Sequence, residues 1–481
     1  NPPCKLRVYS TDDGSVLASK GGKSGVDAAA AVQKRWACAG GGSTGWLRAG
    51  MRGARRPGSL PLSPALALGL GLAAGAERDG AEGLGIPESP LACAPYAELF
   101  PQIWSDFAPL ARHGPITPSN LTELWALARQ WSGWEYYFLE VAVIEGGLFF
   151  RSGRQHLGPW QEATLQLIAL ALERHSAEIP DVYFVLSVLD EPYLERTARR
   201  PLPLLASMTT RAHWDIPVPT YAFFEAAGGI SSAHVPQDFA RWETEAWQAA
   251  QAERHPWERR GRRAFFRGHD WDSSNSFVEH LPGRAPEPCV DPSDVTMAFG
   301  YRRWYAELSG AGAPLAEELD VALTGAPAFA EELRPGRTYA QAVSLPDHAR
   351  HKYLLHLDGT TASNRLIKLL QLGSVVLKQD SVYEEYFYRS LQPHRHFVPF
   401  ARDRCSTANL TQTLAWLRGH DAEARAIASE GQRLARRLLS SSAAACYWQR
   451  VLSVYAALQA FDPRLAVRLS DFTEFRPARS G

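Results

Sequence analysis

Residues 352–379, KYLLHLDGTTASNRLIKLLQLGSVVLKQ, constrain the fold more than any other stretch of this chain. A β-rich apolar run ends at Asp358, Gly359 reads as a turn, a helical period follows, and a second β-rich run covers 374–379. Two parallel strands need a crossover between them, and strand, helix, strand is its usual form. The spacing predicts a helix over 361–372, opened by Thr360, Thr361 and Ser363. Helix N-termini present unpaired N–H groups and partial positive charge, so such a turn suits a phosphate. Arg365 and Lys368, one and two turns in, are placed to neutralise a diphosphate. The plainer reading, a capped helix with surface bases, stands beside it on local physics.

The same rhythm recurs elsewhere. Leu165, Ile168, Ala169 and Leu172 fall at i, i+3, i+4, i+7, an amphipathic helix over 161–175 that Pro180 stops. DVYFVLSVLD (181–190) then reads as a buried strand. Residues 236–263 are polar, and AERHPWERRGRR within them reads as a domain junction before a short strand, AFFRG (264–268). From 409 onward three helical periods follow in succession. The fold class is therefore α/β, two halves and a helical tail. Lys+Arg and Asp+Glu are both 51, which argues against a surface tuned to nucleic acid. The 15 Trp, 16 Tyr and 20 Phe supply aromatic mass for a large core.

Met51 opens a basic stretch, an apolar one and a small-residue exit at Ala74-Gly75-Ala76, the plan of a secretory leader over 51–76. Residues 1–50 read as an upstream extension and 77–92 as a linker. A membrane role is expected only if 60–76 act as an anchor. Beyond the leader the cysteines are Cys93, Cys289, Cys405 and Cys446, and their three possible pairings stay open. Asn120-Leu121-Thr122 and Asn409-Leu410-Thr411 are acceptor sequons. Together these features point to the lumen of the secretory pathway.

Few other residues carry chemistry by position. Asp190 ends a buried strand, where a carboxylate can act as a general base or merely shape a turn. Arg267 follows Phe265 and Phe266 at a strand end, where α/β sheets present ligand-binding groups. Its neighbours Arg254, Arg259, Arg260, Arg262 and Arg263 read as a solvated linker. Asp270 and Asp272 form an Asp-x-Asp triplet of the kind some sugar transferases use for a metal, but such triplets are common by chance. His394 and His396 have no cysteine or carboxylate at ligand spacing, so no metal is expected.

In order along the chain, FVLSVLDEP (184–192), TYAFFEAAGG (220–229), HPWERRGRRAFFRG (255–268), the 352–379 block, YEEYFYRSLQPHRHFVPF (383–400) and ACYWQRVL (445–452) resemble one family. It is the protein O-glucosyltransferase and capsule-associated glycosyltransferase family, glycosyltransferase family 90, and the likeness runs from about 93 to 460. The resemblance implies two Rossmann-like domains facing a cleft, the arrangement called GT-B. They are expected at 93–255 on the acceptor side and 256–440 on the nucleotide-sugar side, with 441–475 packing back on the first.

By the same resemblance, the chain is an inverting transferase moving glucose or xylose from a UDP sugar to a hydroxyl of a protein or polysaccharide. No cofactor and no metal are implied. Asp190 matches the base. Arg267, Gly359, Thr360, Thr361, Ser363 and Arg365 match the donor-phosphate contacts, and Glu385 a place near the ribose. Phe223 and Phe224 match an acceptor and sugar wall, and Cys446 a cysteine tied to an amino-terminal one, here Cys93. Three features depart from the animal members. The chain ends ARSG instead of a KDEL-type retention signal, the peptide-gripping cysteine pair before the base is absent, and Asp358 stands where they carry Arg. The acceptor stays open between a folded protein domain, a wall glycan and a capsule polysaccharide.

Overall fold

The computed structural model describes residues 7–8, 34–35, 90–131, 133–154, 156–221, 242–269, 300–324, 339–359, 361–400 and 407–477. The leader at 51–76, most of the linker, Phe223, Phe224, Asp270, Asp272, Cys289, Thr360 and Cys405 lie outside the described residues. The chain divides into two units, 1–66 and 67–481. In the first, Arg7–Val8 pairs antiparallel with Lys34–Arg35. The second unit holds two larger sheets and their helices.

The first sheet contains β1 (Phe138–Ile144), β2 (Gly147–Arg151), β3 (Val182–Ser187), β4 (Leu204–Ala206) and β5 (Ile216–Pro217). The second contains β6 (Gly261–Gly268), β7 (Leu319–Leu323), β8 (His351–His356), β9 (Val375–Gln379) and β10 (Val398–Phe400), in the order β7-β6-β8-β9-β10. Every pairing in the second sheet is parallel. Its strands are apolar on both faces because both are covered. Tyr353 and Leu355 of β8 enter one core with Val375 and Leu377, while Leu354 enters the other with Val376.

The first sheet departs from a fully parallel Rossmann-like one. β1 runs antiparallel to both β2 and β3, and only β3, β4 and β5 are mutually parallel. The cause is a two-residue turn, Glu145 at φ 50° and Gly146 at φ 79°, which folds β2 straight back on β1. A last strand, β11 (Thr473–Glu474), joins the edge of this sheet antiparallel to β2.

The helices that place the site are α1 (Phe100–His113), α2 (Pro159–His175), α3 (Gly300–Ser309), α4 (Leu366–Leu370), α5 (Asp421–Leu438) and α6 (Ser441–Leu458). α6 is buried almost all round, as a helix lacking a polar face must be. Trp448 Nε1 donates to Pro219 O at 2.9 Å and Tyr455 OH to Pro203 O at 3.0 Å, so these two polar atoms find partners in the first half. Cys93 and Cys446 form a disulfide with Cα atoms 5.4 Å apart. Among the described residues no helix is long and apolar enough to cross a membrane.

Two local expectations are corrected. The helix expected over 361–372 is only α4, and 361–365 is bends and turns. Groups there bond out of register with a helix: Gly359 N donates to the Thr361 carbonyl at 2.9 Å, the Ser363 carbonyl accepts from His356 Nε2 at 2.9 Å, and the Thr361 hydroxyl donates to Asp190 O. The arginine run is not a plain solvated linker either. Arg262 and Arg263 belong to β6, and Arg260 is buried, donating to Ser374 Oγ at 2.9 Å and Gly373 O at 2.5 Å.

Candidate active site

Open parallel sheets gather ligand groups at the carboxyl ends of their strands. Here β3, β6, β8 and β9 all deliver charged residues at those ends. Past β3, Val188 and Leu189 are buried, and Asp190 follows at the rim. Its carbonyl accepts from Thr361 Oγ1 at 2.5 Å, and its Oδ1 accepts from Tyr221 OH at 3.3 Å. Thr361 thus ties the end of the first sheet to the turn beyond β8. Tyr221 stacks on Trp160, ring centroids 5.2 Å apart, which fixes its hydroxyl. Burial pushes the Asp190 carboxyl up to about 6, against the hydrogen bonds of Thr361 and Tyr221 and the charge of Arg302.

At the end of β6, Arg267 is committed to its own sheet. It donates to Phe266 O and Asp320 O, both at 2.9 Å, and pairs with Asp320 at 2.6 Å. Its Nε is buried without a hydrogen-bond partner. Arg365 differs in kind. It is the residue before α4, and its Nη1 donates to Arg267 O at 2.5 Å. Its guanidinium lies 5.2 Å over the Phe266 ring, and burial alone lowers its pKa to about 10. Among the described residues no carboxylate pairs with it. Gly268 makes this possible, since a Cβ there would meet Arg365 Nη2 at 2.7 Å.

Arg302, on α3, is a residue that sequence reasoning missed. It donates to His269 O and to Leu357 O, both at 3.1 Å, joining the chain beyond β6 to the chain beyond β8. Gly359 lies against it, with an added Cβ reaching 3.0 Å from Nη2. Nothing in YRRWY marks this arginine, and only packing selects it. Lys378 was also missed, although a lysine inside the apolar run of β9 is a readable anomaly. It sits 4.5 Å over the Tyr388 ring, its pKa lowered by burial and partly restored by Asp358 and Glu385. Glu385 accepts from Tyr388 OH at 3.0 Å. Burial raises it to about 8, with Asp358 and Asp190 adding to the rise and Lys378 and Tyr388 opposing it.

The structure therefore brings together Asp190, Thr361, Arg365 and Glu385 with Arg302, Asp358 and Lys378. Ser363 is buried and contributes its carbonyl to His356, whose pKa burial lowers to about 3. The sequons sit apart. Asn409 is exposed on the helix Ala408–Gly419, whereas Asn120 Oδ1 caps the helix Pro118–Ala128 by accepting from Thr117 N at 2.8 Å. Among the described residues, one grouping of metal-ligand type is Cys93, His175 and Cys446, and its two thiols form the disulfide.

The model of the glycosyl transferase family 90 matches residues 102–280 and 305–474. The chain belongs to glycosyl transferase family 90. The two matched stretches include β3 with Asp190 just beyond it, Arg267 in β6, Arg365 before α4, and Glu385 between β9 and β10. Among its relatives, protein O-glucosyltransferase 2 of Danio rerio is 27% identical over 334 residues, 69% of this chain and 58% of that one. Protein O-glucosyltransferase 3 of Homo sapiens is 29% identical over 303 residues, 62% of this chain and 51% of the relative. Protein O-glucosyltransferase 1 of Homo sapiens is 25% identical over 285 residues, 59% and 64%. The chain thus spans a little over half the length of the first two of these family 90 relatives.

Proposed function

We propose that this chain is an inverting glycosyltransferase that moves a sugar, glucose or xylose, from a UDP sugar to a hydroxyl of a protein or glycan acceptor. The observation that carries it is Arg365: a buried guanidinium with no acid partner among the described residues, at the carboxyl ends of parallel strands. Burying a charge without a partner is costly, so such a cation is a site awaiting an anion. The diphosphate of a nucleotide sugar supplies one. The relatives' printed activity, O-glucosylation of protein, favours glucose as the sugar and a protein as the acceptor.

In this reading the two sheets belong to two Rossmann-like domains of the GT-B kind, and the cleft lies where Thr361 meets Asp190. The acceptor oxygen gives its proton to the Asp190 carboxylate and attacks the anomeric carbon from the face opposite UDP. The bond to the diphosphate oxygen breaks, and the configuration inverts. Negative charge grows on the leaving diphosphate, facing Arg365 and Arg302, which are held by backbone carbonyls and need no reorganisation. The arginines take the part a metal plays in other transferases, and the reaction runs in the lumen of the secretory pathway.

Arg365→Met tests this. Charge-assisted hydrogen bonds are worth about 1.5–3 kcal/mol, so UDP affinity should fall roughly tenfold to a hundredfold. Thermal stability without ligand should hold or rise, because an unpaired buried charge has been removed. Calorimetric titration with UDP and a melting curve measure both. UDP affinity unchanged in the folded variant refutes the phosphate assignment. UDP binding without sugar release in the wild type, with acceptor present, would mean a non-catalytic sugar-nucleotide binder.

A further inference from the structure

Asp190 and Tyr221 stand on one rim. β3, β4 and β5 are parallel neighbours, Asp190 follows the carboxyl end of β3, and Tyr221 follows that of β5. The two side chains meet there, Tyr221 OH donating to Asp190 Oδ1 at 3.3 Å.

Asp190 is half-buried. It is faced by Tyr221, by Thr361 from the turn beyond β8, by Arg302 of α3, and by Tyr137, Glu191 and Glu385. Two of these groups are hydroxyls bonded to the residue, and they differ in what they hold. A threonine hydroxyl has one proton to give. That of Thr361 is drawn to the Asp190 carbonyl at 2.5 Å, so it fixes the backbone. The Tyr221 hydroxyl reaches the carboxylate itself.

The phenol is built to stay in that position. Its ring is 8% exposed and stacks on Trp160 with an interplanar angle of 21°. Trp160 lies in the first turn of α2, next to Gln161. The Gln161 Nε2 donates to Glu135 O at 3.3 Å and Phe138 O at 3.4 Å, and its Oε1 accepts from Gly158 N at 2.9 Å. This turn is therefore pinned to the start of β1. Tyr137, just before β1, packs on Trp160 with ring centroids 6.0 Å apart. Burial first, then the charges of Asp190 and Glu385, push the Tyr221 hydroxyl well above its ordinary pKa, so it remains a donor at any working pH.

We infer that Tyr221 is a positioning residue for the proposed base: its hydroxyl holds Oδ1 of Asp190 so that Oδ2 meets the acceptor, and Trp160 clamps its ring. The inference rests on the reading of Asp190 as the base. In that step the acceptor O–H bond breaks and its proton passes to Oδ2. The acceptor oxygen bonds the anomeric carbon, and the diphosphate leaves with the electron pair of the broken C–O bond.

Tyr221→Phe keeps the ring and its stack but removes the donor. A hydrogen bond to the ionised form lowers a carboxyl's pKa, so losing it raises that pKa. Infrared difference titration, each protein against its Asp190→Asn counterpart, reads the Asp190 carboxyl without any ligand. Its midpoint, about 6 in the wild type, should move up by about one pH unit in Tyr221→Phe. UDP release from UDP-glucose, with water as the acceptor, should show its acid limb displaced equally. Trp160→Ala should shift both in the same direction, and Trp160→Phe, which can still stack, should restore them. UDP affinity should match the wild type throughout. Tyr221→Phe decides the matter if Trp160→Ala fails to fold. An unmoved carboxyl midpoint in Tyr221→Phe overturns the inference, as does an acid limb that is lost in Asp190→Asn yet unmoved in Tyr221→Phe. Wild-type UDP release by Asp190→Asn would instead sink Asp190 as the base, and with it any catalytic part for Tyr221.

Discussion

Asp190 and Glu385 are both carboxyls raised by burial, and the difference between about 6 and about 8 gives them different states at neutral pH. Asp190 is ionised there and can take a proton, while Glu385 is largely protonated and cannot. In the proposed mechanism, activity therefore falls as pH drops through about 6, where Asp190 gains its proton. Asp190→Asn should cost roughly 10²–10⁴ in turnover and abolish that acid limb, with UDP affinity unchanged. Rates across pH and a UDP titration on one preparation check it; turnover near wild type would make Asp190 only a turn residue. Glu385 predicts a stability effect instead. Its pKa rises on folding from 4.5 to about 8, so the folded state holds the extra proton between those values. The stability linked to that proton is complete below about 4.5 and is lost as pH rises through about 8. Glu385→Gln should flatten the melting temperature against pH across that window. An unaltered slope would show that another group titrates there.

At the scale of elements, the ends of β6 and β8 are shaped by glycines that let arginines pack against the backbone. Gly268 admits the Arg365 guanidinium, because a Cβ added there would lie 2.7 Å from Arg365 Nη2 and 2.8 Å from the Phe266 ring. Gly268→Ala should push Arg365 out of place without touching its charge. UDP affinity should drop about tenfold while far-ultraviolet circular dichroism stays unchanged, and titration would show it. No loss of affinity would mean that Arg365 reaches the ligand from elsewhere. Periodicity identified β8, β9 and the helix over 161–175 within a residue or two. It failed at 361–365, because the Thr361 hydroxyl bonds the distant Asp190 carbonyl and the Ser363 carbonyl bonds His356 of β8, both in competition with helical bonding. It also stopped β6 short at its amino end, since Arg262 and Arg263 look like linker until β7 and β8 pair beside them.

Over the whole molecule, one covalent bond joins Cys93, before α1, to Cys446 in α6, across 353 residues of sequence. Such a closure restricts the unfolded chain, and removing a native disulfide typically costs about 2–5 kcal/mol. Cys446→Ser should lower the urea midpoint accordingly, while the folded fraction keeps its UDP affinity, because neither cysteine touches the charged cluster. A urea melt with and without UDP distinguishes the two outcomes, and an unchanged midpoint would show that packing of α6 alone holds it.

The amino-acid sequence alone determined the α/β class, the strand–turn–strand unit at 352–379, the three helices after 408 and the family, because each follows from local period or from contiguous motifs. It also singled out Asp190 and Arg365, which stand at strand and turn ends legible in one dimension. Tertiary structure alone decided that Thr361 would bond the Asp190 carbonyl across a separation of 171 residues. Only packing made Arg302 a neighbour of Asp190, turned Arg267 toward Asp320, and left Arg365 buried with no acid beside it among the described residues. The physical reason is desolvation. A charge acquires its shifted pKa and its partners from what several distant segments bury around it, and no local spacing records that.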